Sequence, residues 1–323
     1  MAINTDQIRN LTNQVVYSGY LATLEKVKTG TDKNGCDYLS FRGTIQCGED
    51  SILTRQFKAY IKAQKKDGTD SENYAKVTKW VKEAVPMTKD KENATMVRMV
   101  GSLSAGDYVA VDGSLRETNI ATMQFFNDFD EFACDLDIEG YIKSVTDEER
   151  GSDDDKKPTG RKRMRLISMD FYHNALDFKS IVIPKDLVDA LEDNGYEQGR
   201  TAKMFLTWMV NSNEEPKPKK KGFGQQRVTE GRSFVELVLT GGDMAYDEDD
   251  DKMCISNQMA KAMMTERSNR LKELEEAGYQ GNSSDSSSGS SNSAGSSRSG
   301  FGNKGSSSKK MAPVVDDDDD IPF

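Results

Sequence analysis

Between residues 14 and 240 hydrophobic and polar side chains alternate with a period of two over several short stretches, and turn residues separate those stretches. Such alternation marks half-buried strands, whose successive side chains point to opposite faces. Val15-Val16-Tyr17-Ser18-Gly19-Tyr20-Leu21 opens the series, with Gly19 read as a bulge or barrel corner. Lys28 to Gly35 reads as a turn. A second strand, Asp37 to Gln46, sets Leu39, Phe41 and Ile45 against Tyr38, Ser40, Arg42 and Thr44. After the turn at Gly48-Glu49-Asp50, a third strand from Ile52 to Ala63 sets Phe57, Ala59 and Ile61 against Lys58, Tyr60 and Lys62. Ser71 to Ala84 then reads as a helix, with Ser71 as N-cap, Pro86 beyond its end, and Val77, Trp80, Val81 and Ala84 as one apolar stripe. Residues 86–106 read as a polar excursion, Asp107 to Arg116 as a fourth strand, and Thr122 to Asn127 as a fifth.

Three strands, a helix and two strands is the order of an oligonucleotide/oligosaccharide-binding (OB) barrel. The order then repeats. Ile138 to Val145 is a strand whose Gly140-Tyr141-Ile142 echoes Gly19-Tyr20-Leu21. Arg163 to Tyr172 and Leu176 to Ile183 form a hairpin around His173-Asn174-Ala175. Lys185 to Asn194 is a short helix ending at Gly195. Lys203 to Val210 and Ser233 to Thr240 complete the set. Asp247 to Asp251 leads into a helix over Lys252–Ala277, where a run of acids suits the N-terminus. Between residues 281 and 308, 20 of 28 residues are Ser or Gly, too little apolar surface to fold. The expected fold is therefore mainly β: two tandem OB barrels, a C-terminal helix and a disordered Ser/Gly-rich acidic tail. The boundaries are 1–131 for the first barrel, 132–245 for the second, 246–279 for the acidic segment and helix, 280–312 for the linker and 313–323 for the tip.

Charge changes this picture locally. The net charge is -10, and residues 246–323, with 9 Lys/Arg and 15 Asp/Glu, hold -6 of it. The barrels are thus mildly acidic, so binding of nucleic acid has to rest on local basic surface. Four widely spaced cysteines and one histidine, with no C-x-x-C, argue against a closed zinc site or a disulfide scaffold. Met1 to Gln7 lacks the features of a secretion signal, and no apolar run reaches membrane-spanning length. No nucleophile–base constellation or phosphate loop is found, so no catalytic residue, metal or cofactor is assigned and an enzyme is not expected.

Three groups of residues carry candidate chemistry. Tyr38, Arg42, Lys58, Tyr60 and Lys62 share the outer face of strands two and three. Cations there follow phosphates, and rings stack on bases without reading their sequence. A solvated strand face also carries Lys and Tyr, but this pattern falls on the face an OB barrel uses. The second barrel offers Lys156, Lys157, Arg161, Lys162, Arg163 and Arg165 between its first two strands, with Lys179 on its third. Lys217, Lys219, Lys220, Lys221, Phe223 and Arg227 lie between its fourth and fifth. Finally, Asp318-Asp319-Asp320-Ile321-Pro322-Phe323 ends the sequence as an acidic, apolar-tipped peptide with a free carboxylate, suited to a basic-rimmed apolar pocket on a partner.

That tip resembles the C-terminal end of bacterial and phage single-stranded-DNA-binding proteins, which close on an acidic run and Ile-Pro-Phe. Asn13-Gln14-Val15-Val16-Tyr17-Ser18-Gly19 resembles the family's opening strand, and Tyr108-Val109-Ala110-Val111-Asp112-Gly113-Ser114-Leu115-Arg116 its fourth. The resemblance implies sequence-tolerant binding of single-stranded DNA during replication, recombination and repair, and recruitment of partner enzymes through Asp318–Phe323. It also implies a bacterial cytoplasm, in association with the nucleoid. Two features depart from the family. Two barrels in one chain replace the usual one, which implies a monomer or homodimer in place of a tetramer. The strand that bears the family's stacking tryptophans has none, leaving Phe57 and Tyr60 as substitutes by position. These departures suggest a phage or mobile-element version. The alternatives are a strand-annealing or recombination-mediator protein and, in another class, an OB-fold adaptor that binds protein.

Overall fold

The computed structural model describes residues 5, 8–49, 51–65, 67–150, 156–212, 233–247, 249–250 and 252–279. The acidic tip, the Ser/Gly linker and the basic segment from Lys217 to Arg227 lie outside the described residues.

The first barrel is built from β1 (Asn13–Thr31), β2 (Asp37–Gln46), β3 (Thr54–Lys62), β4 (Met96–Ala105) and β7 (Asn119–Asp128), with α1 (Glu72–Glu83) between β3 and β4. Antiparallel pairs β1–β2, β2–β3, β4–β7 and β1–β4, and a parallel β3–β7 pair, close the ring. This is the OB order, with the third and fifth barrel strands parallel. Alternation along β2 and β3 falls as the sequence implies: Leu39, Phe41, Ile45, Phe57, Ala59 and Ile61 are buried, while their neighbours face outward. Ser71 caps α1 by accepting from the Tyr74 N–H, and the helix lays Val77 and Trp80 on the core, with the Trp80 ring 4.8 Å from Phe126.

The fourth strand is not where the alternation suggested. Met96–Ala105, read as excursion, fills that position and buries Val97, Met99 and Leu103. Arg98, Gly101, Ser102 and Ser104 dilute its apolar signal. The stretch 107–116 is instead a small hairpin, β5 (Tyr108–Val109) and β6 (Leu115–Arg116), which turns at Gly113 and projects between β4 and β7.

The second barrel repeats the plan with β8 (Ala133–Arg150), β9 (Lys157–Met169), β10 (Ala175–Ile183), β11 (Thr201–Ser212) and β12 (Ser233–Gly242); α2 (Val188–Asp193) lies between β10 and β11. β10 and β12 are the parallel pair. The echo between the two opening strands has a steric basis. A Cβ on Gly19 would sit 2.0 Å from the Gln46 carbonyl oxygen, and one on Gly140 would sit 2.6 Å from that of Ile167, so in both barrels the first strand passes too close to the second for a side chain. Arg161, Lys162, Arg163 and Arg165 lie on β9 itself rather than in a loop before it.

The barrels are fused. β1 pairs with β8 from Asn13↔Ile138 to Ser18↔Ala133, giving one ten-stranded sheet that runs through both. α3 (Asn257–Ala277) starts five residues later than the hydropathy suggested. Ser256 caps it by accepting from the Met259 N–H, so a hydroxyl, not the upstream acids, satisfies its first turn. Its Ala260 and Met263 pack with Ile255 onto Tyr141, Ile167, Met169 and Ala175 on the outside of the second barrel. Among the described residues no helix is long and apolar enough to cross a membrane.

Candidate nucleic-acid interface

Outward residues of β2 and β3 form paired rows: Tyr38 opposite Lys62, Ser40 opposite Tyr60, Arg42 opposite Lys58. The Tyr38 and Tyr60 rings lie diagonal to one another and stack, with centroids 4.9 Å apart and planes 27° from parallel. They flank a groove of about 570 Å³ whose lining includes Tyr38, Arg42, Lys58 and Tyr60. β1 adds Lys26 and Lys28 through a bulge between Glu25 and Lys28, where Lys26 takes a left-handed φ of 52°. The extra residue bends the strand and re-aims its side chains. Among the described residues no ion pair engages Lys26, Lys28 or Arg42.

β7 contributes Phe125, 43% exposed, to the same groove. The second barrel lines the groove as well. Its β9–β10 turn presents Phe171 and Tyr172, 38% and 37% exposed, with ring centroids 5.6 Å apart. The groove therefore combines cations with aromatic faces, the chemistry a single strand needs for its phosphates and its unstacked bases.

The remaining candidates are placed differently. Lys62 stands at the end of the same face, with its Nζ 3.2 Å from Asp32. Backbone N–H donation from Cys36, more than Lys62, holds the Asp32 carboxyl below the usual range. Phe57 is a core residue, so of the two positional substitutes for the missing tryptophans only Tyr60 faces the groove.

On the second barrel, Arg165 grips Asp177 with two hydrogen bonds, Nε to Oδ1 at 2.9 Å and Nη2 to Oδ2 at 2.7 Å. Arg161 reaches Glu148 at 2.8 Å and Glu236 at 2.9 Å, and Arg163 donates to both as well. Burial opposes ionisation of Glu148 and Glu236, but hydrogen bonds from the arginines, with Thr159 adding one to Glu148, hold both carboxyls below their ordinary value. Lys162 lies 3.4 Å from Asp147 and 3.6 Å from Glu192, and Lys179 lies 3.0 Å from Glu117. Lys156 and Lys157 are exposed. None of these residues lines the groove. Lys217, Lys219, Lys220, Lys221, Phe223 and Arg227 lie outside the described residues, as do Asp318, Asp319, Asp320, Ile321, Pro322 and Phe323.

A family model described as YorF matches residues 12–277, which span both barrels and α3. The chain belongs to the YorF family. Among curated proteins none matches it. Among solved structures it is similar to the wild-type single-stranded DNA binding protein from Thermus aquaticus, at 9% identity and a TM-score of 0.41, over 75% of this chain and 97% of that one. A deletion mutant of the same protein gives 9% and 0.41 over 75% and 98%.

In this YorF-family chain the sequence pattern alone does not reveal Lys26, Lys28, Phe125, Phe171 or Tyr172 as groove residues. The lysines depend on a bulge inside a strand whose end carries turn-like residues. Phe125 follows a register shift between Val100 and Gly101 in the β4–β7 pair. The Phe171–Tyr172 dipeptide was a visible signal, two aromatics beside a turn, but its neighbour across the groove is more than a hundred residues away in the chain.

Proposed function

We propose that this chain binds single-stranded DNA, without strong sequence preference, along the groove over β2 and β3 of the first barrel. The observation that carries the reading is the stacked Tyr38–Tyr60 pair set between Arg42, Lys58, Lys26 and Lys28 in one open groove. Rings accept any base, and the cations release counterions from a strand's phosphates. A rigid duplex cannot present its base faces to the tyrosines. The protein acts in this reading by binding, not by catalysis. It coats exposed strands during replication or recombination in the cytoplasm, and the Asp318–Phe323 tip recruits partner enzymes by offering an anionic sequence with an apolar end.

Fluorescence anisotropy with labelled oligo-dT tests the binding. Wild-type protein is expected to bind the strand well above a duplex of equal length, with affinity falling as salt rises. Tyr60→Ala should lose about 1–3 kcal/mol, and Tyr60→Phe much less, because the ring does the stacking. Equal affinity for duplex would sink the proposal. Metal-dependent cleavage of the oligonucleotide would overturn the non-catalytic reading, and accelerated pairing of complementary strands would favour an annealing protein.

A further inference from the structure

Two OB barrels in one chain suggest two equivalent binding faces, but on the second barrel part of that face is covered by α3 and its arginines are paired with carboxylates. The outward residues of β9 and β10 correspond to the groove face of β2 and β3. At one end of that face Ile167, Met169 and Ala175 lie beneath α3, packed against Ala260 and Met263. At the other end Arg165 is held bidentately by Asp177, whose side chain is 1% exposed. Arg163 is engaged by Glu148 and Glu236, whose side chains are 7% and 6% exposed. A guanidinium paired with a buried carboxylate has its charge largely neutralised, which weakens its pull on a phosphate, and turning it outward would leave that carboxylate unpaired.

The second barrel instead reaches the first barrel's groove through its β9–β10 turn, and that turn is anchored. The buried Asp170 carboxylate accepts from the Tyr172 and Asn174 N–H groups at 2.9 Å each, and from the Ala105 N–H of β4, across the inter-barrel boundary, at 3.2 Å. Asn13, at the start of β1, donates to the Leu103 carbonyl at 2.8 Å and accepts from the Leu103 N–H at 2.9 Å; its amide also lies 3.4 Å from the Met169 carbonyl. These contacts span both barrels and hold the turn at the groove, yet they leave Phe171 and Tyr172 more than a third exposed. Exposed aromatics on a turn pinned by a buried carboxylate are suited to receive a flat ligand at little ordering cost.

We propose that the chain holds one composite strand-binding site, in which the second barrel lends Phe171 and Tyr172 to the first barrel's groove while α3 covers part of its own face and carboxylates neutralise the arginines there. Asp170 is a positioning residue for those rings. The inference rests on the proposed function, since it extends the path of the same strand from Tyr38 and Tyr60 onto a second stacking platform.

Titration of the full chain with oligo-dT of graded length, read by anisotropy and by calorimetric stoichiometry, tests it. One oligonucleotide per chain is expected at saturation. Phe171→Ala with Tyr172→Ala should weaken binding about tenfold with the salt slope unchanged, because stacking is lost and no cation is removed. Phe171→Tyr with Tyr172→Phe, which keeps both rings, should bind as the wild type does. A second readout needs no variant: photocrosslinking of a bromodeoxyuridine-substituted strand to the wild-type chain should label the peptide that holds Phe171 and Tyr172. Two oligonucleotides per chain, an unweakened double-alanine variant, or crosslinks at Tyr38 and Tyr60 without any at Phe171–Tyr172 would each overturn the composite site and leave the proposed function standing. A wild-type chain that binds no strand would overturn the proposed function itself, and the composite site with it.

Discussion

At the scale of single residues, the chain separates two uses of positive charge. Arg42, Lys26 and Lys28 face an open groove, whereas Arg161, Arg163 and Arg165 are tied to Glu148, Glu236 and Asp177. Sequence composition treats both sets as basic patches; only the positions of the carboxylates tell them apart. The second set has a consequence for stability. Hydrogen bonds from the arginines outweigh burial and hold Glu148 and Glu236 below their ordinary pKa of 4.5 in the folded state. A carboxyl depressed in this way stabilises the fold above its unfolded pKa, and that contribution is lost as pH falls through its folded pKa. The melting temperature should therefore hold nearly level from pH 7 to about 5.5 and drop below about 4.5. Glu148→Gln should lower melting at pH 7 and flatten the acid decline. Thermal melts of both proteins across that range check it, and an unchanged acid slope in the variant would count against this network.

At the scale of elements, α3 does more than pack on the second barrel. Its Arg267 is buried, with its side chain 4% exposed; it donates to Asp107 at 2.8 Å and to the Ala175 carbonyl at 2.7 Å. Asp107 leads into the β5–β6 hairpin of the first barrel, and Ala175 opens β10 of the second, so one side chain joins three elements. Removing it strands a fully buried carboxylate. Arg267→Ala should cost about 3–5 kcal/mol, and Arg267→Met combined with Asp107→Leu should cost less, because no unpaired charge remains. Urea unfolding of the two variants gives the comparison; equal losses would mean that packing, not charge pairing, dominates there. The β5–β6 hairpin shows why alternation misplaced the fourth strand. Val109, Val111 and Leu115 do alternate, but Asp112 and Gly113 interrupt them with a tight turn, and the true strand hides its apolar residues among Arg98, Ser102 and Ser104. Polar residues are tolerated on β4 because its outer face borders the groove, with Ser102 and Ser104 in its lining.

At the scale of the whole molecule, a continuous sheet through β1 and β8 makes the two barrels one body, and a groove forms where they meet. If the anionic tip competes with DNA for that groove, deletion of residues 316–323 should raise affinity for oligo-dT at low salt, narrow the difference as salt rises, and abolish capture of partners. Unchanged affinity in the truncated protein would refute the competition, and retained capture would refute a docking role for Asp318–Phe323.

The sequence by itself determined the order of strands and helix in each barrel and its repetition, the inward and outward faces of β2 and β3, and the cap at Ser71. These are local properties, set by a period of two, by turn residues and by hydroxyls next to helix starts. Only the tertiary structure decided which charges remain open to a ligand, because Glu236 on β12 pairs with Arg161 and Arg163 on β9 from more than seventy residues away. Only the tertiary structure, likewise, brought Phe171 and Tyr172 into one groove with Tyr38 and Tyr60. That meeting depends on the β1–β8 pairing and on Asp170 bonding to Ala105, contacts between residues far apart in sequence that no periodicity encodes.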